Sequence, residues 1–325
     1  MSIPLAPITD PYEFLQITLN ADGTLTRRYA FPLSSAEPNS NISQVLSKDI
    51  PVNPSKGTRA RIFLPKQALN PISPNKLPLL VYFHGGGFIT CSLDLTMFHE
   101  FCSNIASELQ VIVVSAGYRL APEHRLPAAY DDAMEALHLI KTIPDDWLKD
   151  YADYSNCFLM GTSAGGNMAY QVGLLAAEEI DHLSPLKIKG LILHQPFFGG
   201  VQRTESEMRL INGTIFPQCV SDLMWELSLP IGVDGRDHKY CNPTAADGFI
   251  DLEKIKKVGW RVLVTGCDGD PLIDRQIELV RMMEKIGIQV VGHFGVGGFH
   301  GLELIDSSKA NALHVVLKNF IWPSM

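Results

Sequence analysis

From Thr58 to the end of the chain, short apolar runs alternate with segments of helical spacing, and this alternation narrows the fold more than any other feature. "TRARIFLP", "LPLLVYFH", "VIVVSAGYRL", "CFLM", "IKGLILH", "WRVLVTG" and "QVVGHF" read as strands. Several are almost continuously apolar, as strands buried on both faces of a parallel sheet are. Between them lie "FHEFCSNIASEL", "PAAYDDAMEALHLIKTI" with Pro127 near its start, "AGGNMAYQVGLLAAEE", "DRQIELVRMMEKIG" and "ALHVVLKNFI", which carry helical periodicity. Strand and helix in regular turn imply βαβ units. The sequence therefore predicts an α/β fold with a mostly parallel, doubly wound central sheet flanked by helices.

Two stretches break the rhythm. "FLQITLNADGTLTRRYAF" predicts two short strands joined at Asp22-Gly23, and residues 32–57, rich in Pro, Ser, Asn and Lys, predict a loop. Residues 197–245 sit between strands with mixed helix and loop signals, and an insertion of that length predicts a lid over a site. The whole of 1–325 reads as one domain, without internal repeat or low-complexity tract.

Composition then excludes several classes of function. A net charge of −8 argues against nucleic acid, whose partners need a basic face. No apolar run reaches the roughly 18 residues of a membrane span. The start, "MSIPLAPITDPYEF", lacks the basic and apolar regions of a secretory signal. Six scattered cysteines without C-x-x-C spacing predict reduced thiols in a cytoplasmic protein, with no disulfide frame and no metal site. In that compartment the sequons at Asn41 and Asn212 stay unmodified. No cofactor is expected, and the sequence carries no signal of oligomeric state.

The chemistry begins at "FLMGTSAGGNMAY". Gly161-Thr162-Ser163-Ala164-Gly165 fits G-x-S-x-G in its required setting, a strand passing through a sharp turn into a helix. A serine projecting above the sheet at such a turn needs very small neighbours two positions to either side. Upstream, "FHGGGF" closes another buried strand with three glycines whose N–H groups stand free to meet a developing oxyanion. Gly86, Gly87 and Ala164 are the expected donors, with Gly85 shaping the turn and His84 bracing the loop. Phe88, Thr162 and His194 are candidate walls of a substrate pocket.

A serine hydroxyl is a weak nucleophile until a base, oriented by a third group, takes its proton. Chain order in this architecture is serine, acid, histidine, each on a loop after a strand. "CDGDPLID" after one strand offers Asp268, Asp270 and Asp274; "GVGGFHG" after the last offers His300. Among the ten histidines, His300 alone sits on a glycine-flanked loop directly after the last strand. His99, His138, His182 and His314 fall in helical patterns and read as packing or surface residues.

Together "HGGGF", "YRLAPEHRLPAAYDD", "GTSAGGN", "CDGDPLIDRQ" and "GGFHG" resemble the plant carboxylesterases of the hormone-sensitive-lipase-like branch of the α/β-hydrolases. The resemblance spans nearly the whole chain. It implies an α/β-hydrolase fold with a helical cap drawn from about 1–45 and 197–245. It also implies a catalytic set of Ser163, Asp270 and His300, Asp270 being the residue that opens D-P-L-x-D in that family. The expected activity is hydrolysis of a small-molecule carboxylic ester through an acyl-enzyme on Ser163. A lyase or cyclase on the same scaffold, acting on a plant specialised metabolite, is the alternative. A gibberellin-receptor-like binding protein is disfavoured by His300, which those receptors lack. Thr162 and His194-Gln195 depart from positions that are often acidic in the family.

Overall fold

The computed structural model describes residues 10–70, 76–233, 235–245 and 248–323. The first nine positions, and with them much of the stretch read for an export signal and part of the expected cap, lie outside the described residues. Helix α1 (Pro11–Phe14) opens on Asp10, whose carboxylate accepts the N–H groups of Tyr12 and Glu13. Strands β1 (Ile17–Leu19) and β2 (Leu25–Arg27) then pair antiparallel, and Gly23 takes the turn between them at φ 84°.

The main sheet is built from β3 (Val45–Asn53), β4 (Thr58–Pro65), β5 (Leu77–Phe83), β6 (Ile112–Ala116), β7 (Ala152–Thr162), β8 (Ile188–His194), β9 (Arg261–Cys267) and β10 (Val290–Gly295). Its order is β10-β9-β8-β7-β5-β6-β4-β3. β5 to β10 run parallel, and β4 and β3 extend the sheet antiparallel. The helices that follow are α2 (Thr96–Leu109), α3 (Ala128–Ile140), α4 (Asp146–Tyr151), α5 (Ala164–Glu178), α6 (Glu205–Arg209), α7 (Gln218–Ser228), α8 (Gly248–Val258), α9 (Ile273–Ile286) and α10 (Ser307–Ile321). α2 and α10 cover one face with Phe98, Phe101, Leu313 and Leu317; α3, α5, α8 and α9 cover the other. No described helix is long and apolar enough to cross a membrane.

Residues 32–57 correct the loop expected there, because β3 occupies Val45–Asn53. It is the last strand of the sheet, and its pairing with β4 shifts between Pro51 and Asn53. An edge strand tolerates Pro and a bulge, since its outer N–H groups have no ladder to serve. The polar composition that suggested a loop is the composition of a guarded edge. α8 is not legible in the sequence either: among its residues with described side chains, Leu252 and Ile255 are the buried apolar ones.

The topology gathers one end of the sheet. β5, β7, β9 and β10 are parallel, so the loops after their C-terminal ends emerge on the same rim, where ligands of open α/β sheets sit.

Candidate active site

β7 enters the turn at Thr162 and α5 leaves it at Ala164. Between them Ser163 adopts φ 57° and ψ −118°, a conformation that costs a non-glycine residue about 1–3 kcal/mol. The turn closes because its two glycines are bare. A Cβ on Gly161 would lie 2.0 Å from the carbonyl oxygen of Gly165, and one on Gly165 would lie 1.9 Å from that of Phe83. The strain places Ser163 Oγ 2.9 Å from Nε2 of His300, to which the hydroxyl donates.

His300 Nδ1 lies 3.1 Å from Asp270 Oδ2, close but off the line of a well-formed hydrogen bond. Asp270 is fully buried; the Leu272 N–H donates to its Oδ1 at 3.0 Å and Gln276 Nε2 to its Oδ2 at 2.9 Å. Those two donors fix the carboxylate so that one oxygen faces the imidazole. The other acids of the cluster are engaged elsewhere. Asp268 accepts from Gly297 N–H, and Asp274 from Ser206 N–H in the 197–245 insertion. The Phe216 ring stacks on His300, with centroids 4.7 Å apart and planes 18° apart.

The glycine loop after β5 faces this group. His84 Nδ1 donates to the Gly85 carbonyl at 2.7 Å, and Tyr118 stacks on its ring while donating to its carbonyl at 2.9 Å. Burial lowers the His84 imidazole to about 4, so it is neutral. The Gly86 carbonyl accepts from Thr90 Oγ1 and from the N–H groups of Ile89 and Thr90. In a trans peptide the N–H points opposite to the C=O. Holding those two carbonyls therefore turns the N–H groups of Gly86 and Gly87 the other way, and neither donates to a protein acceptor among the described residues. Gly86 and Gly87, at φ 114° and 58°, occupy backbone that only glycine adopts freely. The Ala164 N–H, at the start of α5, is a free helix-terminal donor.

Above these groups lies a cavity of about 320 Å³. Its walls are Phe14 and Leu15 at the end of α1, Met97 and Phe98 of α2, Ile215, Phe216, Val220 and Met224 of the insertion, and Leu304 and Ile305 beyond the histidine loop. Gly85, Gly86, Gly87, Thr162, Ser163 and His300 form its polar floor, with Cys91 beside them. Among the described residues no Asp, Glu, Lys or Arg lines it. Among the described residues no cluster of His, Cys, Asp and Glu is arranged to hold a metal ion.

Residues 80–304 match the family model of the alpha/beta hydrolase fold. The chain belongs to the α/β-hydrolase family. It is 54% identical to Carboxylesterase 20 of Arabidopsis thaliana, over 99% of either chain. It is 45% identical to a 3-O-acetylpapaveroxine carboxylesterase of Papaver somniferum, over 97% of this chain and 98% of that one. Among solved structures it resembles an esterase of Pyrobaculum calidifontis, with 25% identity, TM-score 0.70, and coverage of 87% of this chain and 86% of that chain. The resemblance to plant carboxylesterases read from the motifs is borne out.

Two sequence-predicted pocket residues lie elsewhere in this hydrolase. Phe88, only 1% exposed, turns away from the cavity into a cluster with Tyr130, Phe197 and Trp225. His194 is buried beneath the site, with Nδ1 2.7 Å from Thr265 Oγ1. Thr162 does reach the cavity, although its hydroxyl accepts a hydrogen bond from Tyr82. Sequence reasoning did not single out the apolar walls. The length of the insertion marked the region, but which of its residues face inward depends on how α7 sits over the sheet.

Proposed function

We propose that this α/β-hydrolase is a serine carboxylesterase acting on small, uncharged carboxylic esters. The observation that carries the reading is the chain of contacts from Ser163 Oγ through His300 to Asp270 at the floor of an apolar cavity. Ser163 attacks the ester carbonyl as His300 Nε2 takes its proton. Asp270 orients the ring and stabilises the imidazolium that forms. The N–H groups of Gly86, Gly87 and Ala164 hold the oxyanion, each worth about 10²–10³ in rate. The tetrahedral adduct then collapses; the alcohol leaves with the proton from His300, and an acyl group stays on Ser163. Water attacks that acyl group by the same route and releases the acid.

The N-terminal segment and the 197–245 insertion act as the cap over the cavity. A largely apolar lining in which no described residue is Asp, Glu, Lys or Arg suits an uncharged ester and supplies no such counter-charge to a free carboxylate or an ammonium. The carboxylesterase names of the relatives and the complete Ser–His–Asp set together support hydrolysis over elimination, cyclisation or hormone binding. Six cysteines with no disulfide among them, three of them fully buried, suit the reducing cytoplasm.

Turnover of an activated acetate ester in oxygen-18 water tests the reaction class. Hydrolysis puts one solvent oxygen into the released acetate above the uncatalysed background; a lyase or binding protein releases no labelled acid.

A further inference from the structure

Gln195 directly follows β8, is fully buried, and takes φ 45° with its N–H donating to the Thr265 carbonyl at 2.8 Å. Its side chain reaches the loop that carries the base. Oε1 accepts the Gly301 N–H at 2.6 Å, and Nε2 lies 3.3 Å from Glu303 Oε2 and 3.5 Å from the Phe299 carbonyl oxygen. Phe299 and Gly301 are the two neighbours of His300. The loop itself is poorly restrained by its own chemistry, since Gly297, Gly298 and Gly301 all have positive φ. One side chain thus grips the backbone on both sides of the histidine. Beneath it, His194 Nε2 stands 3.5 Å from the same Glu303 carboxylate. Glu303 is held below its ordinary range: burial raises it, and its contacts with His194, with its own backbone N–H and with the nearby His300 together outweigh that.

We infer that Gln195 is the positioning residue for the base, its amide setting where the His300 ring stands relative to Ser163. The chemistry of the side chain explains the residue type. A primary amide presents one acceptor, matched to the Gly301 N–H, and two donors, matched to a carbonyl and a carboxylate. A carboxylate at 195 would keep the first contact and lose the others, while setting two like charges face to face. This inference rests on the esterase reading above.

The test compares the full chain with Gln195→Leu, Gln195→Glu and the double variant Gln195→Glu/Glu303→Gln, measuring kcat and KM on an activated acetate ester and the midpoint of thermal unfolding. A displaced base slows chemistry and leaves binding alone, so Gln195→Leu and Gln195→Glu should each lose about 10²-fold in kcat, with KM changed less than about threefold. The double variant restores an amide facing a carboxylate with the two exchanged, and should regain most of the kcat lost by Gln195→Glu. If Gln195→Leu fails to fold, the exchange pair, nearly unchanged in volume, carries the test alone. Wild-type kcat in Gln195→Leu, or a loss in Gln195→Glu that Glu303→Gln does not repair, overturns the assignment and leaves the esterase reading standing. An inactive wild-type chain overturns both.

Discussion

Met224 of α7 bears directly on Gly87: a Cβ on residue 87 would fall 2.2 Å from the Met224 Sδ. The insertion and the glycine loop, far apart in sequence, thereby share one wall of the cavity. On the proposed mechanism Met224 limits the groups that fit beside the Gly86 and Gly87 N–H groups. Met224→Ala should raise kcat/KM for a bulky acyl ester relative to acetate by about tenfold, the scale of a few methylenes in an apolar pocket. A panel of aryl esters of increasing acyl length reads this out. An unchanged ranking would remove Met224 from the wall that sets substrate size.

The elbow is equally tight. A methyl group on Gly161 or Gly165 must displace backbone, not a flexible side chain, because the atoms it would meet are carbonyl oxygens of Gly165 and Phe83. Gly161→Ala and Gly165→Ala should each lose about 3 kcal/mol or more of stability, at the upper end of overpacking costs. Denaturant unfolding measures it. A loss below about 1 kcal/mol would mean that the turn has room to relax.

Asp270 alone among its cluster faces His300. Asp270→Asn should lower kcat by up to about 10⁴-fold, because an amide there favours the wrong imidazole tautomer. Asp268→Asn and Asp274→Asn disturb only the contacts to Gly297 and Ser206 and should cost far less. Steady-state kinetics on the three variants decides. A crippling effect at Asp268 would reassign the acid.

Burial lowers His84 to about 4, below its value of about 6.5 in an unfolded chain. The unfolded state therefore binds this proton first as the pH drops. Stability is lost between about pH 6.5 and 4, by about 3 kcal/mol from this group. In His84→Gln that part of the dependence should vanish, so unfolding free energies at pH 7 and pH 4.5 should differ less than in the wild-type chain. Equal differences would show that His84 takes up its proton in the folded state as readily as in the unfolded one.

How much of this was legible in the sequence depended on how local the cause was. Ser163, the glycine loop and His300 were readable because each obeys a short-range rule: a small residue at a sharp turn, bare N–H groups after a strand, a histidine on the last loop. Spacing left Asp268, Asp270 and Asp274 undecided; the family pattern chose Asp270, and the structure shows it to be the one facing His300. β3 was hidden because an edge strand bearing Lys48, Asp49 and Pro51 looks like a loop until its partner β4 is known. His194 and Phe88 were misplaced for the opposite reason. Phe88 adjoins the glycine loop in sequence and His194 ends a strand at the same rim, yet Trp225 and Thr265, distant in the chain, draw them away from the floor or beneath it. Gln195 and Glu303 stood in plain view, but their meeting needs the β8 and β10 loops to come together on one rim.

The most direct test of the account is to look for the acyl group on Ser163. Rapid quenching during turnover of an activated acetate ester, followed by peptide mass spectrometry, should find acetyl on the peptide bearing Ser163. Ser163→Ala should fold normally, carry no acetyl and lose turnover. Wild-type turnover in Ser163→Ala, or acetyl found on another residue while Ser163 stays bare, would contradict it.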